Sequence, residues 1–119
     1  MRHLESNLQI QCVKWFRYQY LDHCLFAIPN GGHRNPVTAS IMKAEGVLSG
    51  VADLFLMYKN TEYSGLWIEM KTEKGIHQPS QKAFQRMASE QGFKYIICRS
   101  FDDFKEQIKN YIDGEALDK

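Results

Sequence analysis

The spacing of apolar residues predicts a helix at the start of the chain, then a short strand and a second helix. Within residues 4–21 the apolar side chains recur every three or four positions, which places them on one stripe of a helix. They are Leu8, Cys12, Trp15, Phe16 and Leu21. Residues 24–28 predict a strand, which a Pro-Asn-Gly-Gly turn signal ends. Residues 37–45 predict the second helix, with Gly46 at its C-terminal cap.

Two apolar segments separated by a polar stretch predict a β-hairpin in the middle of the chain. Residues 54–58 lack polar alternation, as in a strand that is covered on both faces, and residues 66–71 form the second strand. The residues between them, 59–65, are polar and include Asn and Gly, as hairpin loops do. The hairpin is therefore expected to be centred near Thr61.

After the hairpin, the pattern predicts a helix, a strand and a last helix. The first of these helices begins at Gln78-Pro79-Ser80 and ends before Gly92, because proline favours a first helical turn and glycine the position after a helix. Its inward stripe is Gln81, Phe84, Met87, Ala88 and Gln91. Residues 93–98 predict a buried strand. Ser100 and Asp103 resemble a capping box that starts an amphipathic helix. The apolar residues of that helix are Phe101, Phe104, Ile108, Tyr111 and Ile112.

The order of these elements predicts an α/β sandwich with a mixed central sheet. No internal repeat or linker interrupts it, so we expect one domain over residues 1–119. The apolar fraction of 44% and the charged fraction of 24% are those of a soluble globular protein, and a membrane span or signal peptide is not indicated. Three cysteines without metal-type spacing favour reduced thiols and a cytoplasmic location, as in a bacterial or phage-infected cell. A net charge of +1 leaves any nucleic-acid site to local clustering of charge.

Three charged residues lie in or beside the two apolar strands of the hairpin and need partners, since buried charges are rarely unpaired. A hairpin centred near Thr61 places Asp53 opposite Glu69, with their Cβ atoms about 5 Å apart. Lys71 shares the face of Glu69, because residues two apart in a strand point the same way. A divalent metal with a phosphate would supply the partner. The alternative is an exposed edge hairpin whose outer face carries Glu and Lys.

Two further polar residues lie on predicted apolar stripes. Glu5 is on the inward stripe of the first helix, one turn before Leu8, although acidic residues are also favoured there by the helix dipole. Gln81 faces inward at the start of the helix that follows the hairpin, near the strand of Lys71. A satisfied helix-end amide would explain it equally well.

These residues together resemble the virus-type replication-repair nuclease (VRR-NUC) branch of the PD-(D/E)xK nuclease superfamily. The resemblance extends from about residue 4 to residue 98. Its ordered pieces are Glu5, Ile-Pro-Asn-Gly-Gly-His-Arg at 28–34, Gly-Val-Leu-Ser-Gly-Val-Ala-Asp at 46–53, Ile-Glu-Met-Lys at 68–71, and Ser80 with Gln81. One departure is Ala52, where the family usually has a proline that shapes the turn. The resemblance implies a restriction-endonuclease-like α/β/α sandwich.

The resemblance also implies a metal-dependent endodeoxyribonuclease. Asp53 and Glu69 would bind Mg²⁺ or Mn²⁺ together with the backbone carbonyl of Met70, since hard cations prefer oxygen ligands. Glu5 would hold a second metal or a water of the first. Lys71 would orient or help to deprotonate the attacking water and stabilise negative charge. Gln81 would position a water or phosphate. No Ser–His–Asp pattern, Walker loop or Rossmann fingerprint competes with this interpretation.

Contacts with DNA are expected on both sides of these residues. The loop of Asn30, Gly31, Gly32, His33 and Arg34 lets the backbone approach a phosphate. Lys74 and Lys82, with His77 and Arg86, make the segment after the Glu-x-Lys strand positive, although a solvated basic face is the alternative. Recognition of DNA shape is more consistent with this chain than recognition of sequence.

Small members of the family look like dimeric endonucleases that act on branched DNA, Holliday junctions in particular. The chain also carries surplus apolar residues that could form a dimer interface, in the first helix and beside the substrate loop. They are Trp15, Phe16, Tyr18, Tyr20, Ile41, Met42, Val47 and Leu48. A fully buried first helix would explain the first four equally well. The alternatives for function are a flap or fork nuclease that needs a partner protein, and a catalytically silent DNA-binding module.

Overall fold

A computed structural model describes residues 2–29 and 35–114 of the chain as a four-stranded sheet with helices on both faces. The elements are α1 (Arg2–Gln19), β1 (Leu25–Ala27), α2 (Pro36–Ala44), β2 (Leu54–Leu56), β3 (Leu66–Met70), α3 (Pro79–Glu90), β4 (Lys94–Cys98) and α4 (Phe101–Asp113). This order is the predicted one, and each strand is slightly shorter than the apolar run that indicated it.

The sheet is mixed, as the sequence predicted. Its strand order is β1-β2-β3-β4, in which β1 and β2 pair antiparallel, β2 and β3 pair antiparallel, and β3 and β4 pair parallel. The parallel pair is possible because α3 carries the chain back across the sheet. The predicted centre of the hairpin is confirmed, since Leu54 pairs with Ile68 and Leu56 with Leu66.

The core lies between the sheet and the helices α1 and α4. Its fully buried members come from α1, the sheet and α4, and they include Cys12, Phe16, Leu54, Leu56, Ile68, Met70, Phe104 and Ile108. The opposite face of the sheet is covered by α3, whose Phe84 contacts Trp67 of β3 with ring centroids 5.0 Å apart. The molecule thus has the predicted α/β/α layering, and β3 is buried on both faces.

Local hydrogen bonds explain where the helices begin. Asn35 caps α2, because its side chain accepts a hydrogen bond from the Thr38 amide at 2.7 Å. Ser100 caps α4 in the same way, accepting from the Asp103 amide at 3.0 Å, as its sequence predicted. Gly46 follows the end of α2 with a φ of 108°, a conformation that favours glycine.

The structure corrects three predicted inward positions. Leu21 lies beyond the end of α1 and is 82% exposed, so it does not belong to the apolar stripe. Met87 and Gln91 point to solvent at the end of α3. Gln85 is half-buried instead, because the observed inward stripe of α3 is Gln81, Phe84, Gln85 and Ala88, and Gln91 lies past the end of the helix. All three cysteines are free, with Cys12 and Cys98 buried and Cys24 exposed.

Candidate metal and catalytic site

Asp53 and Glu69 meet where β2 begins and β3 ends. The pairing of Leu54 with Ile68, continued by one residue, places Asp53 opposite Glu69, and the two carboxyl groups interact. The amide of Met70 also donates to Asp53 Oδ2 at 2.7 Å. The predicted juxtaposition of the two acids across the hairpin is therefore confirmed.

Glu69 is held by two polar neighbours although it is almost completely buried, with 3% of its surface exposed. The amide Nε2 of Gln81 donates to Glu69 Oε2 at 2.9 Å, and the ammonium of Lys71 lies 3.7 Å from the same oxygen. The other oxygen, Oε1, is buried without a hydrogen-bond partner. Glu69 therefore presents one occupied and one available oxygen.

Lys71 follows β3 directly, and its side chain is buried on the face that Glu69 shares, as predicted. Its amide donates to the carbonyl of Cys98 at 3.0 Å, which extends the parallel pairing by one residue. A Cβ at Gly75 would lie 3.1 Å from Lys71 Cδ, so the glycine makes room for the lysine. The strand pairing and this contact together keep the ammonium beside Glu69.

The loop after Lys71 is tied to β4 by one arginine. Arg99 Nη1 donates to the carbonyl of Thr72 at 2.9 Å and to that of Gly75 at 2.7 Å. A guanidinium that bonds several carbonyls of one loop fixes its path. This loop matters to the site because Glu5 forms a hydrogen bond with the Thr72 backbone.

Gln81 is oriented from both ends of its amide. Its Oε1 accepts a hydrogen bond from the Gln78 backbone at 2.8 Å, while Nε2 reaches Glu69. The loop before Asp53 packs against the same helical turn, since a Cβ at Gly50 would collide with the backbone carbonyl of Ser80. Gly50 also has a φ of +92°, so glycine is required there for two reasons. The start of α3 thus links the loop before Asp53 to the end of β3.

Burial and mutual repulsion raise the pKa values of Glu5, Asp53 and Glu69. The pKa of Glu69 is raised to about 8. Burial is the largest cause and the charge of Asp53 is the second, while the charge of Lys71 opposes the shift. Burial also raises the pKa of Asp53, although the hydrogen bond from Met70 opposes the shift. The pKa of Glu5 rises through burial and through the charge of Asp53, which shows that α1 brings Glu5 to the pair as predicted.

The donor set fits a hard divalent cation. No group of three or more His, Cys, Asp or Glu side chains within residues 2–29 and 35–114 is already arranged as a metal centre. The buried Glu69 oxygen without a partner and the raised pKa values of the acids nevertheless indicate a site that would gain from a cation. The Met70 carbonyl points toward Asp53, because its amide does so and both groups of a strand residue face the same neighbour.

Tyr95 belongs to this site, although the sequence did not reveal it. In the parallel pairing Tyr95 lies beside Trp67, two positions before the partner of Glu69, so its side chain shares the Glu69 face. Its hydroxyl is buried without a partner, and burial together with the charges of Glu69 and Asp53 raises its pKa. A strand tyrosine is an ordinary feature of sequence, and only the register of β3 against β4 identifies this one.

The structure describes only some of the residues that were predicted to contact DNA. Asn30, Gly31, Gly32, His33 and Arg34 lie outside the described residues. Lys74, Lys82 and Arg86 are exposed, as a basic surface requires. His77 is packed inward instead, since its Nε2 lies 3.0 Å from Gln85 Oε1 and its ring contacts that of Tyr95.

The predicted interface residues fall into two groups. Phe16 is fully buried and Trp15 packs against the core, so neither can form an interface, whereas Tyr18 is 85% exposed. The helix α2 buries none of its residues within the described part of the chain. Its Ile41, together with the following Val47 and Leu48, is exposed. Of the predicted interface residues, the exposed ones are therefore Tyr18 on α1 and the group at α2 and its C-terminal loop.

Comparisons with known proteins agree with this geometry. The family model of the VRR-NUC domain matches residues 2–102. A solved structure described as a VRR_NUC domain protein superposes with a TM-score of 0.80 and 23% sequence identity, over 92% of this chain and 88% of its own. No curated protein shows a significant match. Among the described residues, no helix is both long and apolar enough to cross a membrane.

Proposed function

This chain belongs to the VRR-NUC family of nuclease domains, and on that basis we propose that it hydrolyses phosphodiester bonds of DNA with Mg²⁺ or Mn²⁺. The observation that carries the proposal is the pairing of Asp53 with the buried Glu69. One carboxylate oxygen of Glu69 has no hydrogen-bond partner, and the ammonium of Lys71 lies 3.7 Å from the other. This arrangement resembles that of PD-(D/E)xK nucleases, in which carboxylates and a lysine serve one reaction centre.

The residues that would hold the cation are Asp53, Glu69 and the carbonyl of Met70, with Glu5 holding a second ion or a bound water. A divalent cation supplies an activated water near neutral pH and neutralises charge on the phosphate. Binding would also displace a proton held by either carboxyl group, because metal ligands must be deprotonated.

Lys71 and Gln81 have separate roles in this proposal. The Lys71 ammonium can orient the attacking water and stabilise the negative charge that develops on the phosphate. Gln81 uses one amide hydrogen to hold Glu69, which leaves its second hydrogen for a water or a phosphate oxygen. Glu69 thus stays fixed while substrate binds.

We propose branched DNA as the substrate, with four-way junctions favoured, and a homodimer as the active form. A four-way junction requires two related cuts, which two copies of one site can make by two-fold symmetry. The apolar, unburied α2 supports an interface between copies, and the exposed Lys74 and Lys82 support a DNA-binding surface. The same apolar surface would suit a partner protein if the enzyme instead cuts flaps or forks.

The test is cleavage of labelled four-way junctions, flaps and duplexes by purified protein in Mg²⁺, Mn²⁺ or excess chelator. We expect paired nicks in opposing strands of the junction that require metal, and a dimer in light scattering at micromolar concentration. Asp53→Asn keeps the shape of the side chain and should abolish cleavage while the circular dichroism spectrum is unchanged. Cleavage in chelator, or full activity of Asp53→Asn, would contradict the metal-hydrolase proposal. A monomer that cuts only flaps would favour the alternative.

A further inference from the structure

A groove with a volume of about 580 Å³ lies between the outward side of α1 and the edge strand β1. We call it the α1 groove. The α1 side chains that line it recur at helical spacing, so they form one continuous wall. The residues that matter here are Glu5, Gln9, Val13, Lys14, Arg17 and Phe26.

One end of the α1 groove opens at the candidate catalytic site. Glu5 lies at that end and interacts electrostatically with Asp53, Glu69 and Lys71. Leu54, the neighbour of Asp53 in sequence, also lines the groove. A strand that enters the site can therefore continue into the groove without leaving the protein surface.

The other end carries positive charge. Lys14 and Arg17 are exposed there, and Arg17 Nη2 donates to the Leu25 carbonyl at 3.2 Å, which fixes its guanidinium and leaves other N–H donors available. Among the described lining residues Glu5 is the sole acid. From Glu5 to Arg17 the helix rises about 18 Å, which is about five phosphate steps of one DNA strand.

The wall between these two ends suits sugars and bases. Ile10 is 55% exposed, Phe26 at the rim is 41% exposed, and Val13 lies between them. Exposed aromatic and aliphatic surface beside cations is the combination that binds single strands of nucleic acid with little sequence preference. Gln9 and Ser6 add neutral hydrogen-bonding groups.

We propose that the α1 groove binds the DNA strand that leads away from the cut phosphate, with Lys14 and Arg17 contacting its phosphates. The inference rests on the proposed nuclease function and adds a second DNA surface to it. Lys74 and Lys82 lie after β3 and on α3, so DNA would contact the protein on both sides of the catalytic residues.

The experiment compares two charge-matched double variants in the full chain. Binding of a labelled four-way junction is measured in Ca²⁺ over a range of salt concentrations, and cleavage is measured in Mg²⁺ or Mn²⁺. For Lys14→Ala/Arg17→Ala we expect affinity to fall about 10- to 100-fold and the slope of log K against log salt to lessen by about 1 to 2. The single-turnover rate at saturating DNA should stay close to that of the wild type.

The matched control is Lys59→Ala/Lys109→Ala, which removes the same charge from exposed positions near the far end of the hairpin and on α4. Its affinity should change less than threefold. A comparison of Lys14→Glu with Lys109→Glu repeats the test and leaves the Arg17–Leu25 hydrogen bond in place. A photoreactive aryl azide on Gln9→Cys, in a Cys24→Ser background, should crosslink nucleotides on one side of the cut site.

The possible failures are distinguishable. If the wild type cuts DNA but the α1-groove variants bind it as well as the control variants do, the groove inference is wrong and the nuclease proposal stands. If the α1-groove variants become monomeric in light scattering, the groove is a contact between two copies, which also overturns the inference. If the wild type cuts no DNA with any metal, the proposed function itself fails.

Discussion

The two faces of β3 are both buried, yet they bury opposite kinds of side chain. On one face Leu66, Ile68 and Met70 pack without solvent exposure against the layer of α1 and α4. On the other face Glu69, and Lys71 just past the strand, lie under the start of α3. Because side chains alternate along a strand, one five-residue segment provides both the centre of the core and the centre of the candidate site.

This difference separates stability from function within one element. Apolar burial stabilises the fold in proportion to the area removed from water. Burial of two acids and an ammonium opposes folding unless their hydrogen bonds and charges are satisfied. Glu69 keeps one oxygen unpaired, so the second face carries a cost that only a ligand would remove. Substitutions on the apolar face should therefore lower the free energy of unfolding, whereas substitutions on the polar face should lower the cleavage rate.

The largest expected effect is on turnover. Lys71→Ala should lower the single-turnover cleavage rate by about 10²–10⁴-fold, because it removes the group that orients water and stabilises developing charge. Metal binding and DNA affinity should stay largely intact, as measured by calorimetry and by binding in Ca²⁺. Gln81→Ala should lose less activity, since it supports Glu69 and does not itself carry charge.

The exposed Lys82 provides the comparison for Lys71. Lys82→Ala should weaken DNA binding and leave the rate at saturating DNA unchanged. If Lys71→Ala behaves in the same way, with normal cutting at saturation, its assignment to catalysis is wrong.

The next effect concerns the apolar face of the same strand. Ile68→Ala should lower the free energy of unfolding by about 2–5 kcal/mol, because it leaves a cavity in a fully buried position. The cleavage rate per folded molecule, measured well below the melting temperature, should remain within a few fold of the wild type. Urea denaturation and cleavage on the same samples check this. A loss of turnover comparable with that of Lys71→Ala would show that the two faces are not separable.

We expect the polar face of β3, and not the apolar face, to make the stability of the fold depend on pH. Glu69 has a folded-state pKa raised from 4.5 to about 8, so the folded metal-free protein holds this proton more tightly than the unfolded chain does. The resulting stability is fully present below about pH 4.5 and is lost as pH rises through about 8. Glu69→Gln should remove most of this dependence in chelator, and Mn²⁺ should reduce it in the wild type.

The measurement is thermal unfolding between pH 5 and 9, with and without chelator. Glu106→Gln, on an exposed position of α4, is the matched control and should follow the wild type. A wild-type melting temperature in chelator that does not fall across this range would contradict a raised pKa of Glu69 in the folded protein.

Much of the site could be predicted because it depends on short-range periodicity. A hairpin centred near Thr61 was enough to place Asp53 opposite Glu69, since strand register and alternation follow from the turn. Gln81 followed from helical spacing after a recognisable first turn. The resemblance to the family assigned Glu5, and the structure brings it to the same place.

The positions that were missed depend on packing between distant elements. Met87 and Gln91 were expected on the inward stripe of α3, but Met87 lies to the side of the buried Ala88 and Gln91 lies past the end of the helix. Tyr95 was not identified because the parallel register of β4 is set by a helical crossover, and no local turn specifies it. The groove along α1 was also not predicted, since periodicity within α1 and β1 does not show how the two elements pack against each other.

The smallest expected effect compares two buried tyrosines near opposite faces of the sheet. The Tyr95 hydroxyl has no hydrogen-bond partner, whereas that of Tyr111, on α4, donates to the Tyr58 carbonyl at 2.6 Å. Tyr111→Phe should therefore lower the free energy of unfolding by about 1–2 kcal/mol. Tyr95→Phe should leave it unchanged or raise it slightly in chelator, because no bond is lost and a desolvated hydroxyl is removed. Urea denaturation of both variants decides the matter. Equal destabilisation would mean that the Tyr95 hydroxyl is bonded in solution, with the unpaired oxygen of Glu69, whose side chain shares its face, as a candidate acceptor. In that case Tyr95→Phe should also weaken Mn²⁺ binding, whereas Tyr111→Phe should not.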